Sequence, residues 1–219
     1  MQTLREHPVS RNLFRTVVYL CFGSGITFLI LAYSMVAFGL NETNNFVLLF
    51  IIMGLSAFVG GTLWARSMFL NSGIINILQK ALLTGFSFGL SVFIFGYFLE
   101  VIERDLFYSG LLNSPGIHTQ FVGYFSIAIF LVAGVTSFVL AFQMTDNYKT
   151  LRSSLTTAVT CVAVFIIVDL LMYVLGWRVG DPDFPERSTM LTVMGLGLGM
   201  TLLVGGTIIG VFIENAQPE

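Results

Sequence analysis

Two early stretches of the chain, residues 16–40 and 46–65, contain no Asp, Glu, Lys or Arg. Each matches the run of roughly 20 apolar residues that crosses the hydrocarbon layer as an α-helix. Only a helix or a closed barrel satisfies its own backbone groups in lipid, and sustained period-2 alternation is absent from this chain. Four further apolar runs follow, so that the six segments are 14–40, 46–65, 74–100, 121–143, 154–177 and 189–213. The expected fold is an all-α integral membrane protein: six transmembrane helices in a single transmembrane domain, residues 1–219. Charged residues make up 10% of the chain, against about a quarter in soluble domains, which excludes a soluble enzyme with one core. A net charge of −2 argues against a nucleic-acid partner, and two cysteines against a disulfide scaffold. The basic start with Arg5, Arg11 and Arg15 suits a signal sequence, but the apolar run after it is too long, so it reads as an uncleaved anchor helix.

Lys and Arg set the orientation. With the N-terminus inside, the inner face holds Arg5, Arg11, Arg15, Arg66, Lys80, Lys149 and Arg152, and the outer face Arg104, Arg178 and Arg187. An even number of spans returns the C-terminus to the inside. The outer loops are acidic, with Glu42, Glu100, Glu103, Asp105, Asp181, Asp183 and Glu186. Trp64 and Trp177 stand at span ends, where interfacial aromatics are common. The third helix is expected to run on past Glu100 and to break at Ser114-Pro115-Gly116.

The chain also carries a sign of duplication. Residues 25–35 and 134–144 share Gly25/Gly134, Thr27/Thr136, Leu31/Leu140, Ala32/Ala141 and Met35/Met144 at an offset of 109. Gly85, Gly89 and Gly96 fall on Gly195, Gly199 and Gly206 at an offset of 110, and Ser91 falls on Thr201. The expected repeats are 12–108 and 121–214. Three spans per repeat is an odd number, so the repeats must insert with opposite orientation, as in many transporters. The competing account is the composition that all membrane helices share.

Small residues let helix backbones approach closely in lipid. Gly85 with Gly89, Gly195 with Gly199, and Gly206 with Gly210 are spaced for this, as are Ser56 with Gly60 and Ala57 with Gly61. The third and sixth helices are therefore expected to pack closely on one another. On the third helix Asn76, Lys80, Thr84, Ser87 and Ser91 follow steps of four, four, three and four, which puts them on one face. That face is either a solute path or a set of hydroxyls bonded to their own helix.

Asp169 is the one acid well inside an apolar run. An ionised Asp at a span centre costs about 2.5–3.5 kcal/mol on insertion scales, and such residues are functional candidates by default. The same residue would serve equally as a hydrogen-bonded packing element. Its expected partners are Tyr33, Ser34, Ser91, Tyr124 and Ser126, while His118 reads as an outer-loop or interfacial residue. Cys21 and Cys161 read as buried small apolar residues. Gly85-Phe86-Ser87-Phe88-Gly89 matches G-x-S-x-G formally, but mid-helix and with no histidine at that depth it makes no nucleophile. No metal or catalytic set can be assembled, and no cofactor is expected. The chain reads as a transporter or channel for a small solute or ion. Its path would follow Lys80, Thr84, Ser87 and Ser91, with Thr201 at the position equivalent to Ser91 and Asp169 towards the outer end. The alternative is a non-catalytic accessory, scaffold or assembly subunit. The expected partners are the lipid bilayer and other membrane subunits or copies of the chain, in a cell inner or plasma membrane or a thylakoid-type membrane.

Overall fold

The computed structural model describes residues 8–38, 46–68, 74–108, 117–143, 147–176 and 187–216. These form six long helices: α1 Pro8–Ala37, α2 Phe46–Met68, α3 Ile74–Tyr108, α4 Ile117–Phe142, α5 Asn147–Val174 and α6 Arg187–Ala216. No strand occurs among the described residues. The first five include stretches long and apolar enough to cross a membrane, and α6 includes the shorter apolar stretch Gly199–Asn215. The helix break at Ser114-Pro115-Gly116, Trp177, and the loop acids Glu42, Asp181, Asp183 and Glu186 lie outside the described residues.

The helices neighbour one another in chain order, and α6 returns to touch α1, so the contacts close into a ring. The return contact is the meeting of the chain's two ends. Glu214 near the end of α6 pairs with Arg11 and Arg15 near the start of α1, each at 2.8 Å. The start of α1 and the end of α6 therefore lie at the same end of the bundle. Inside the ring, Leu20, Trp64, Phe88, Leu140, Ile209 and Ile213 belong to one apolar cluster drawn from α1, α2, α3, α4 and α6. A smaller cluster of Ile129, Cys161 and Phe165 joins α4 to α5. Trp64 is thus a core residue at 3% exposure, because the face of α2 that carries it turns towards the ring interior.

The glycines explain which helices approach most closely, and the partners differ from those expected. A side chain at Gly85 would meet Thr62 and the Phe58 carbonyl, and one at Gly89 would come within 2.6 Å of the Gly54 carbonyl. The glycine pair of α3 therefore seats α2. Gly206 and Gly210 of α6 instead receive Thr16 and Asn12 of α1, and Gly205 receives Cys161 of α5. The expected close packing of the third on the sixth helix is not found among the described residues. In a ring closed through its own ends, α3 and α6 each have their sequence neighbours or α1 and α4 beside them. Gly199 has open space where a side chain would stand, and Gly195 lies on 187–198, whose side chains fall outside the described residues.

Helix α1 is continuous but not uniform. Its segment Thr16–Cys21 is wound as a π-helix, with the Phe22 amide donating to the Val17 carbonyl five residues back. Each π turn holds about one residue more than an α turn. Here it keeps Asn12, Thr16, Leu20 and Ser24, spaced by fours, turned to the neighbours on either side: Asn12 and Thr16 meet glycines of α6, and Leu20 and Ser24 meet Gly60 of α2.

At the other end of the scheme, α3 runs to Tyr108 as expected. Its 35 residues make about 52 Å of helix, well beyond a hydrocarbon core of roughly 30 Å. Helix α5 stops where the Gly176 backbone turns to φ 89°, a conformation open to glycine, and its amide caps the Tyr173 carbonyl at 3.1 Å.

Candidate functional site

Asp169 stands one turn before the end of α5, about 30 Å of helix beyond Lys149. That places it nearer the Val174 end of the apolar helix than its middle. There it meets the first turn of α4: His118 Nε2 lies 3.1 Å from Asp169 Oδ2. The two side chains are 17% and 16% exposed. The Tyr173 ring, one turn after Asp169, packs against the imidazole at a centroid distance of 5.1 Å. Below the pair the α4–α5 seam is apolar, with Phe125 stacked on Phe165 and Ile129 beside Cys161. Farther in, Ser154 donates to the Gly134 carbonyl at 2.7 Å. The two helices are thus joined by polar contacts separated by about 24 Å of α4.

His118 is the residue that the sequence reading missed as a partner. The sequence reads it as a loop or interfacial residue, since the apolar run begins at Phe121; in the structure α4 starts at Ile117 and carries His118 in its first turn. A transmembrane helix continues past the hydrocarbon as long as its backbone can stay bonded, and Pro115-Gly116 marks where a new helix can start. The expected partners Tyr33, Ser34, Ser91, Tyr124 and Ser126 are not the ones that meet Asp169. Ser91 and Asp169 are on α3 and α5, and α4 lies between them in the ring.

The polar line of α3 has a different environment. Thr84 has no exposed surface; its hydroxyl donates to the Lys80 carbonyl at 3.0 Å and accepts from Gln143 Nε2 at 3.0 Å. Lys80 Nζ donates to the Gln143 carbonyl at 3.2 Å. These contacts tie the first turns of α3 to the end of α4. Ser91 is buried, Ser87 half-buried and Asn76 exposed. Thr201 of α6 is buried, and its carbonyl accepts from Cys161 Sγ at 3.6 Å. Many other hydroxyls bond to their own helix four residues back, among them Thr27, Ser56, Thr62, Thr157 and Thr207. Cys21 and Cys161 are both free thiols, the second buried. Among the described residues no three groups converge as a metal site.

Near the end of α6, Glu214 stands one residue past the uncharged run 189–213. Burial pushes its pKa up, but hydrogen bonds from Arg11 and Asn12 and the charges of Arg11 and Arg15 outweigh this, and it sits below the ordinary carboxylate value.

Comparison with protein-family models, with curated proteins and with solved structures finds no match for this chain. The functional reading therefore rests on these residues and their geometry.

Proposed function

We propose that the protein is a small polytopic transporter or channel for a small solute or ion, crossing a cell inner, plasma or thylakoid-type membrane six times with both ends inside. The observation that carries this reading is the His118–Asp169 pair, an acid and an imidazole held together near the outer boundary of an apolar helix pair. An apolar pair of the same shape would seal α4 to α5 without the cost of desolvating ionisable groups. Retaining a proton donor and a proton acceptor there supports proton or cation handling. In this reading the pair forms the outer end of the route, Ser87, Ser91 and Thr201 are its mid-depth polar groups, and Lys80, Thr84 and Gln143 make the inner constriction. Six crossings are supported by the Arg11 and Arg15 contacts to Glu214, which bring the first and last helices together at one end. The inside assignment of that end is supported by its share of Lys and Arg. An inverted repeat of 12–108 and 121–214 is supported by the ring order, since exchanging the two halves maps the six ring contacts onto one another, although the minor α4–α6 contact has no counterpart of its size between α1 and α3 among the described residues.

The test is reconstitution into liposomes with pH-sensitive dye and cation-tracer readouts. Asp169→Asn and His118→Gln are expected to abolish flux or shift its pH dependence while the helical content and monodispersity stay as in wild type. Wild-type vesicles no leakier than empty ones, or variants with wild-type flux, would overturn the proposal.

A second reading is favoured by the sealed Thr84 and by the apolar cluster inside the ring. In it the chain is a non-catalytic subunit of a larger membrane assembly, and His118–Asp169 is a clamp between helices. Purification in mild detergent separates the two: a stoichiometric partner supports the subunit reading, and a monodisperse single protein counts against it.

A further inference from the structure

The π-wound segment of α1 is gripped from both sides. Gly60 of α2 lies against the Leu20 carbonyl and Ser24, and Gly206 and Gly210 of α6 lie against Thr16 and Asn12. A side chain at Gly210 would come within 2.5 Å of Asn12 Oδ1 and one at Gly206 within 2.6 Å of Thr16 Cγ2, so the fit allows little rotation. Thr16 and Asn12 have no exposed surface. The inner segment Pro8–Arg15 carries the arginines that pair with Glu214, while the outer segment Phe22–Ala37 has no buried residue of its own. The inner segment is thus the part of α1 whose rotational setting is fixed by α6. The π turn makes that setting compatible with the rest of the helix.

The same residues can also be wound as an α-helix, with backbone bonds four residues back. Unwinding the π turn would rotate Pro8–Arg15 by about one residue, roughly 100°, and shift it by about 1.5 Å along the axis. That rotation would lift Asn12 and Thr16 out of the glycine cradles and carry Arg11 and Arg15 away from Glu214. The α1–α6 contact would then open at the end of the bundle where the two ends of the chain meet.

We propose that Thr16–Cys21 is a register hinge, held in its π form by the pairing of Arg11 and Arg15 with Glu214, and that neutralising Glu214 releases it towards α-helix and opens the α1–α6 seam. The proposal does not depend on the transport reading. It requires a segment with two windings and a polar contact that selects one of them, which is the general form of a conformational switch.

Hydrogen exchange on the full chain in lipid nanodiscs tests it. In Glu214→Gln, amides of Thr16–Cys21 and of the facing stretch around Gly206 and Gly210 are expected to exchange at least about tenfold faster, with Phe22–Ala37 and α2 unchanged. A second variant lacking Val18 removes the extra residue of the π turn. It is expected to keep the Glu214 contacts, to show an uninterrupted α-helical exchange pattern, and to lose its response to the added Glu214→Gln change. Exchange of Thr16–Cys21 unaltered by Glu214→Gln overturns the hinge. So does a uniform rise over all six helices, which is global loosening, and so does loss of the α1–α6 contact in the Val18 deletion.

Discussion

His118 Nε2 and Asp169 Oδ2 stand 3.1 Å apart across the seam between α4 and α5, although 51 residues separate them in the chain. The contact joins the first turn of one helix to the last turns of the next. Because both side chains are largely shielded, removing one member leaves a buried polar group behind. Each single change, His118→Gln and Asp169→Asn, is expected to lower stability, and the double change by less than the sum. A coupling of about 1–2 kcal/mol is expected from a double-mutant cycle of unfolding in mixed micelles. Strict additivity would mean that the two groups do not interact in the membrane.

The glycines of the α2–α3 contact should be far less tolerant than those facing open space. Gly89→Ala puts a methyl within 2.6 Å of the Gly54 carbonyl, and Gly85→Ala collides with Thr62 and the Phe58 carbonyl. Backbone atoms cannot swing away, so a loss of about 1–3 kcal/mol is expected for each. Gly199→Ala meets nothing within 4 Å and gains helix propensity, so it is expected to be neutral or slightly stabilising. Thermal denaturation of the three variants in one detergent decides this; equal losses would contradict the packing described.

Accessibility along α3 separates a wet face from a sealed one. In a background with Cys21 and Cys161 replaced by serine or alanine, Ser87→Cys is expected to react with a small water-soluble thiol reagent if the route is hydrated. Thr84→Cys is expected to stay unlabelled, since that position has no exposed surface and is bridged by Gln143. Labelling rates from mass spectrometry give the answer. Rapid reaction at Thr84→Cys would show that the α3–α4 contact opens readily.

Acid should weaken the meeting of the chain ends. The Glu214 carboxyl titrates below its ordinary value in the folded protein. Its stabilising contribution is therefore complete above the ordinary carboxylate value and is lost as pH falls through the lowered one. Arg11 is well exposed, so solvent screening keeps the effect small. The expected result is a modest acid-side fall in Tm that is absent from Glu214→Gln. A fall of the same size in that variant would assign it to other carboxyls.

Orientation can be read with reporter fusions. Alkaline phosphatase joined after Glu42, Asp105 or Glu186 is expected to be active, and joined after Ser72 or Asp146 inactive. The reverse pattern would invert the bundle, and an active fusion after Asp146 would remove a crossing between α3 and α5.

Much of the architecture was legible from uncharged length. Residues 46–65 had to be a helix in lipid, and α2 occupies Phe46–Met68. The extension of α3 past Glu100 was also legible, because nothing before Ser114-Pro115 interrupts it. The glycine spacing singled out Gly85, Gly89, Gly206 and Gly210, each of which lies against a neighbouring helix, but it could not name what approaches them. Small residues advertise a contact without specifying its partner. The π segment left no clear trace beyond the step-of-four series Asn12, Thr16, Leu20 and Ser24, which an amphipathic α-helix would also give.

The sequence by itself determined the helical class and the list of charge-bearing groups, and it made Asp169 the acid to explain. These follow from local quantities: apolar length, backbone hydrogen bonding in lipid, and the cost of a charge there. Only the tertiary structure decided that His118 meets Asp169, that Thr84 is closed over by Gln143, and that α6 returns to α1 through Glu214. Each of these depends on which helices are neighbours and how each is rotated about its axis. A rotation of one residue, about 100°, exchanges one partner for another while leaving the composition of the helix unchanged.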